Sequence, residues 1–484
     1  VSPTEPEARR RRRKRWPVVL ACLLGLLAIP VLAYLYVKWF AARELDQVVI
    51  ETDALDPDWR FDDLIAKRKP IPDDQNPALV AMKADALTRP AGFDIGEKNW
   101  RLFDEDQAAA QHRLNGPQIA ALREALTKHA EAVKLARTLK DFKGEGRFPI
   151  KHDPNSLNTD LDPLQRNRGV LNMLMYDAML RAEEEDAAGA LQSCRALLVA
   201  ARSIGQEPYL IALLIRVAGD HMLVPALERA LAQGEPPADE LKAIQELLAR
   251  EIDAPILYQA LRGERGGSDK LVAGIQKGDI KVSQLMGPGS PLGAAGTWEA
   301  RLMDMFPAMI TRGRPDGLRL MNKYVAAAQL PAEKQGEAVY EADRQARTGA
   351  AVLVRMLIPG VAKCAEASRR NQANLRGAAC GVAAERFRLK HHRWPESLEE
   401  LVKDELLDAV PTDPFDGRPM RLKAVADGIV IYSVGLDGVD NGGVVDRARM
   451  LQPGTDLGFR LWDVSARRQA PLPPPLPDQP EGPP

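Results

Sequence analysis

Reactive side chains are scarce in this sequence. Its 484 residues hold four cysteines and six histidines, and neither type falls in a pattern that builds a metal site or a redox pair. There is no CxxC spacing. His112, His129, His152, His221, His391 and His392 include no HExxH pair. A GxSxG elbow, a phosphate-binding glycine loop and a dinucleotide fingerprint are missing as well. Those absences exclude the common thiol, zinc, serine-hydrolase and nucleotide chemistries, and a protein without catalytic residues is expected. An enzyme built from dispersed residues and acting on envelope polymers stays open beside it. A charge excess is lacking too: 66 Lys and Arg face 67 Asp and Glu, for a net charge of −1. No whole-chain field therefore draws the protein to nucleic acid, and no nucleic-acid partner is expected.

What the chain does have is one long apolar run. Val18 to Val37 is twenty consecutive residues without a charge, enough at 1.5 Å per residue to cross a hydrocarbon layer of roughly 30 Å. Trp16 and Trp39 bracket it as interfacial aromatics. Seven basic residues, Arg9 to Arg15, precede it, against Lys38 and Arg43 after it. That asymmetry predicts a cytoplasmic N-terminus and an extracytoplasmic bulk, in the cytoplasmic (inner) membrane. The run is too long for a signal peptide, and Ala41-Ala42 beyond Lys38-Trp39-Phe40 is a poor cleavage site, so an uncleaved single-pass anchor is expected. Cys22 lies within it. The remaining Cys194, Cys364 and Cys380 are odd in number and sit among Ala, Leu and Val, where a buried thiol is expected.

Beyond the anchor the pattern is mainly helical. Asn115-Gly116-Pro117 opens a helix carrying Ile119, Leu122, Leu126 and Val133 on one face, and others follow Asp162-Pro163, Ala187, Pro208 and Pro236-Pro237. Each is 15 to 25 residues long and ends in a short Gly/Pro turn, which predicts an antiparallel helical bundle or array. The last of the five is expected to run from Ala238 towards Arg262. Glu183-Glu184-Glu185-Asp186 reads as a solvated turn that favours the N-terminus of the next helix. After His391-His392-Arg393-Trp394-Pro395 the pattern changes. Pro411 to Pro419 is a turn cluster, and Gly428 to Ser433 is a β-type run.

That region resembles the periplasmic domain of the major pseudopilin of type II secretion systems. The shared features occur in order: a long helix ending at Trp394-Pro395, a short helix from Ser397 to Leu407, the turn Pro411-Thr412-Asp413-Pro414, and Tyr432-Ser433-Val434-Gly435-Leu436-Asp437-Gly438 with Gly442-Gly443 after it. The similarity covers about residues 350–460. It implies a small α+β domain and a calcium site in the last loop, with Asp437 carried over directly. The residues themselves place Ser433, Asp437, Asp440, Asn441 and Asp446 close together as hard oxygen donors, with Asp456 as a substitute. The same stretch also reads as an acidic surface turn with no metal. Two departures separate the chain from a pilin subunit. No peptidase-cut Gly followed by Phe and Glu precedes Val18, and some three hundred residues part the anchor from the resembling region.

The expected organisation is a basic cytoplasmic segment (1–15), a transmembrane anchor (16–40), an irregular collar or short helices (41–110), and a helical domain (111–349) with a mobile loop over 266–296. A pseudopilin-like α+β domain (350–465) and a disordered Pro-rich tail (466–484) complete it. The expected role is a membrane-anchored extracytoplasmic scaffold or adaptor, with the membrane and other envelope or secretion proteins as partners. A genuine component of a pilus-like filament is the principal alternative.

Overall fold

The computed structural model describes residues 5–104, 108–153, 159–284, 304–305, 311–349, 359–449 and 452–473. It is mainly helical, with one small antiparallel sheet. The first helix, α1 (Glu5–Leu55), is followed by short helices α2 (Phe61–Ala66), α3 (Pro77–Ala86) and α4 (Glu97–Trp100). A bundle comes next: α5 (Gly116–Lys128), α6 (Ala130–Arg137), α7 (Asp162–Glu183), α8 (Ala187–Arg202), α9 (Leu210–Gln233), α10 (Ala238–Ile252) and α11 (Ile256–Lys277). Then come α12 (Arg314–Ala328), α13 (Ala332–Gly349), the long α14 (Pro359–His391) and the short α15 (Leu398–Lys403). Strands β1 (Arg421–Val425), β2 (Gly428–Ser433) and β3 (Leu457–Trp462) pair antiparallel in that order.

The starts of the bundle helices follow their caps. Asn115 and Gln118 form a reciprocal capping box at α5, and Pro163 sits in the first turn of α7. Asp186 caps α8 through the Gly189 N–H. Glu183 departs from the expected solvated turn. It is 6% exposed, and its carboxylate accepts from the Leu114 N–H and from Arg113. The helix expected from Ala238 to Arg262 is two helices, because Pro255 cannot donate the backbone bond that would continue the first.

Helix α1 does not stop at the expected boundary of 40. Its apolar stretch is exposed, with Leu24, Leu26 and Leu32 at 59, 65 and 63%, whereas Val48 and Thr52 further along are fully buried. One N-terminal helix is thus long and apolar enough to cross a membrane, and its continuation packs on the body. Val48 meets Trp59 and Leu318, Asn322 of α12 donates to the Thr52 hydroxyl at 2.8 Å, and Arg319 pairs with Glu44 at 2.6 Å. Helix α9 also has the length and apolarity to span, but most of it is buried inside the bundle.

Two further boundaries move. Residues 266–277 of the expected loop belong to α11, because its glycines serve close packing: a Cβ on Gly266 would stand 2.7 Å from the Phe61 nitrogen and the Trp59 oxygen. Residues 285–296 of that loop, and Trp298, lie outside the described residues. The chain from 466 to 473 is placed rather than free. Arg467 makes a bidentate pair with buried Glu385, the Arg113 N–H donates to the Gln469 carbonyl, and Asn115 donates to the Leu472 carbonyl. Residues 474–484 lie outside the described residues.

Hydrophobic packing ignores the expected border at 350. One cluster of buried residues runs from Leu171 and Leu197 in the bundle through Leu375 and Phe387 of α14 to Ile431 and Phe459 in the sheet. Helix α14 touches α9, α10 and α13 with some faces and β2 and β3 with another. Gly381 permits the close approach to the sheet, since a Cβ there would fall 2.2 Å from a Phe459 ring carbon.

Candidate functional site

The loop after β2 carries the sequence-derived donors, and the structure divides them among different partners. Ser433 is fully buried and donates to Asp413 at 2.8 Å. Asp413, also fully buried, accepts in addition from the Phe415 N–H at 2.9 Å, the Val434 N–H at 2.9 Å and Arg421 at 3.0 Å. The Pro-x-Asp-Pro turn therefore supplies an acceptor that ties the turn to the end of β2. The turn is legible in the sequence but this role is not, and its one local signal is an acid followed by proline.

Arg421 is surrounded by three carboxylates: Asp413, Asp416 and Asp440. Burial works against its charge, and the carboxylates outweigh it, so its pKa is raised. Asp440 is held by the Gly442 N–H at 2.9 Å and the Tyr432 hydroxyl at 3.1 Å, besides Arg421. Asp446 is held by its neighbour Arg449 at 2.7 Å. Asp437 and Asn441 stay together, with the Asn441 amide donating to Asp437 at 3.3 Å. The Gly454 and Val439 N–H groups also donate to Asp437 and keep its pKa low. Buried Asp456 accepts from the Asn441 N–H at 3.2 Å and the Gly443 N–H at 2.7 Å, and burial raises its pKa.

The five donors consequently do not fit a cation as one unit. Ser433, Asp440 and Asp446 are engaged by Asp413, Arg421 and Arg449. Among the described residues, no group of three or more His, Cys, Asp and Glu is arranged to hold a metal ion. Asp437 and Asp456, on either side of Asn441, receive donors from neutral groups only. They are the narrower set with negative charge to offer a cation, short of the six to eight oxygens calcium takes.

The sheet is fastened to the bundle by charge as well as by packing. Glu228 of α9 accepts from the Arg460 N–H at 2.6 Å and pairs with Arg447 at 2.6 Å. Trp394 donates to Asp463 at 2.6 Å, locking the Trp-Pro pair to the end of β3. Glu385 is fully buried; burial opposes its charge, and donors from Arg388 and Arg467 outweigh that and lower its pKa. None of these long-range partners had a signal in the sequence.

The thiols are unpaired: Cys194, Cys364 and Cys380 are buried, and burial pushes Cys194 and Cys380 up to about 12. His391 pairs with Asp404 at the surface. Comparison with family models, with curated proteins and with solved structures returns no match.

Proposed function

We propose that the protein is a membrane-anchored extracytoplasmic scaffold, with a pseudopilin-like C-terminal module mounted on a helical body. The observation that carries the reading is the junction at the end of α1. The helix with the exposed apolar stretch runs on without a break into Val48 and Thr52, which are buried against α12. Just beyond it, Asp56 takes Arg262 at 2.7 Å and also takes Arg265. An anchor joined so firmly holds the body at a fixed attitude to the bilayer, which suits a protein that positions others. A pilus-like filament is supported less well: the long helix α14 is enclosed by α9, α10, α13 and the sheet, whereas a subunit that polymerises through its long helix needs that helix available.

Four measurements test this. The protein should resist carbonate extraction from the inner membrane, and alkaline phosphatase fused after residue 473 should be active; a soluble protein or an inactive fusion overturns the topology. Prepilin peptidase should leave the chain length unchanged, and a shortened product would favour the filament. Capture from detergent-solubilised membranes should recover envelope or secretion proteins in stoichiometric amount; recovery of the chain alone sinks the scaffold.

Calcium remains a proposal carried by the resemblance, in the narrower form of Asp437, Asn441 and Asp456. A ligand that binds only the folded state adds RT ln(1 + [L]/Kd), about 2.7 kcal/mol at a hundredfold excess. The solubilised full chain should then melt several degrees higher in millimolar calcium than in chelator. Asp437→Asn should remove the difference. Equal melting in both conditions leaves an acidic turn closed by its own amides.

A further inference from the structure

Halfway along α9 the fold buries an acid against an amide. Asp220 is 1% exposed, and its side chain takes one hydrogen bond, from the Asn371 amide of α14 at 2.7 Å. Asn371 is 2% exposed, and its side chain makes no second bond. One oxygen of each group, Asp220 Oδ1 and Asn371 Oδ1, is thus left without a donor. Both oxygens are enclosed by protein, so solvent does not supply one. Two unpaired acceptors on one side-chain pair are costly in a dry interior.

The charges around Asp220 balance without it. Arg216 of the preceding turns donates twice to Glu251 of α10 at 2.6 Å, once to Glu145 at 2.7 Å and once to the Gly205 carbonyl at 3.0 Å. Arg202 of α8 donates to the same Glu251 at 2.6 Å. Two guanidiniums therefore face two carboxylates, and an ionised Asp220 would add a surplus negative charge beside Glu251. The acids and bases of the other elements on α9 are engaged elsewhere. On α7, Asp177 is held by Arg137 and Ser193. Glu264 of α11 accepts from the Leu210 N–H, and Glu228, facing β3, accepts from the Arg460 N–H, at opposite ends of the helix. On α14, Arg370 pairs with Glu366, and His221 beside Asp220 has its pKa lowered by burial. Burial raises the pKa of Asp220 well above the usual carboxylate range, and the charge of Glu251 acts with it, against the Asn371 bond and the charges of Arg216 and Arg202.

We infer that Asp220 is a proton-held latch: its acid form keeps a proton on Oδ1 and donates it to Asn371 Oδ1, closing an acid–amide pair between α9 and α14 that opens when the proton leaves. One proton serves both orphaned oxygens, while the Asn371 amide continues to donate to Asp220 Oδ2. Its loss to solvent leaves both oxygens unpaired and a buried charge uncompensated. Because β2 and β3 pack on α14, the latch lies between the helical body and the C-terminal module. The inference does not rest on the scaffold reading.

The test compares the detergent-solubilised full chain with Asp220→Asn, which keeps the size of the side chain and offers an N–H where the acid offers its O–H. An unfolded aspartate titrates near about 3.9. An acid whose folded pKa is raised contributes stability that is complete below that value and lost as pH rises through the folded pKa. Relative to the Asn variant, the folding equilibrium constant of the wild type should fall about tenfold per pH unit from about pH 5 to about pH 7 in chemical denaturation. Amide hydrogen exchange along α14 should also quicken with pH more in the wild type than in the variant. Infrared spectra of the wild type alone give an independent reading: a carboxylic-acid carbonyl band should persist near neutral pH and move on carbon-13 labelling of the aspartate carboxyl groups. The rival arrangement is an ionised Asp220 taken by the unpartnered Nε–H of Arg202. It predicts an Asn variant that is unfolded or less stable near neutral pH, and no such band. Either result, parallel pH profiles, or equal quickening of exchange in both chains overturns the latch.

Discussion

Single side chains carry unusual responsibility in the C-terminal module. Asp413 receives three uncharged donors and one guanidinium in a fully buried position. Asp413→Ala should therefore cost about 3 kcal/mol or more, since it strands the Ser433 and Val434 donors as well as part of the Arg421 charge. Chemical denaturation of the full chain measures it, and a loss below about 1 kcal/mol, the worth of one ordinary hydrogen bond, contradicts the hub. His221 offers a pH test. Burial lowers its pKa, and the neighbouring Arg370 and Arg447 charges push the same way. A depressed folded-state pKa means stability that is complete above the unfolded value of about 6.5 and lost as pH falls below it. The melting temperature of the wild type should fall more steeply between neutral and mildly acidic pH than that of His221→Gln. Parallel profiles would show that His221 is not held neutral by the fold.

At the scale of the element, two adjacent glycines on α11 make opposite predictions. A Cβ on Gly266 meets backbone atoms of Trp59 and Phe61 at 2.7 Å, while one on Gly267 meets only a Phe61 ring carbon at 3.7 Å. Alanine is favoured over glycine inside a helix by about 0.8–1.0 kcal/mol. Gly267→Ala should thus be neutral or stabilising. Gly266→Ala should destabilise, because backbone cannot move aside as a side-chain tip does, and the segment after α1 must lift from α11. Thermal melts of the pair check this, and equal effects refute the contact. The same stretch shows why composition misleads: glycines that read as a mobile loop are there to let two backbones touch.

For the whole molecule, the consequence of a shared core is cooperativity. Phe459, Ile431 and Leu375 belong to the same buried cluster as Leu171 and Leu197, and Glu228 and Glu385 bind arginines from the sheet side. A fragment of residues 359–473 would expose the faces of α14 and β3 that now lie on α9 and α10. It should show no cooperative melting transition when expressed alone, while the full extramembrane portion melts in one. A fragment that is monomeric and melts sharply would establish an autonomous domain and break the shared-core account.

The sequence by itself determined the local features: the apolar run of α1, the caps at Asn115 and Asp186, the helix-initiating prolines and the strand run from Gly428 to Ser433. Each rests on residues within a few positions of one another, where periodicity, backbone donors and φ restrictions act directly. Part of the candidate site was legible for the same reason, since Asp437 and Asn441 are four residues apart and remain in contact. Only the tertiary structure decided how the remaining donors were spent: Ser433 on Asp413, Asp440 on Arg421, and Arg447 on Glu228. The same holds for the extension of α1 onto α12, for the glycines of α11, and for the seating of Arg229 of α9 on the carbonyls of Ala108, Ala109 and His112. Those outcomes depend on which buried charges and bare backbones meet across separations of up to hundreds of residues, and no local pattern records such a meeting.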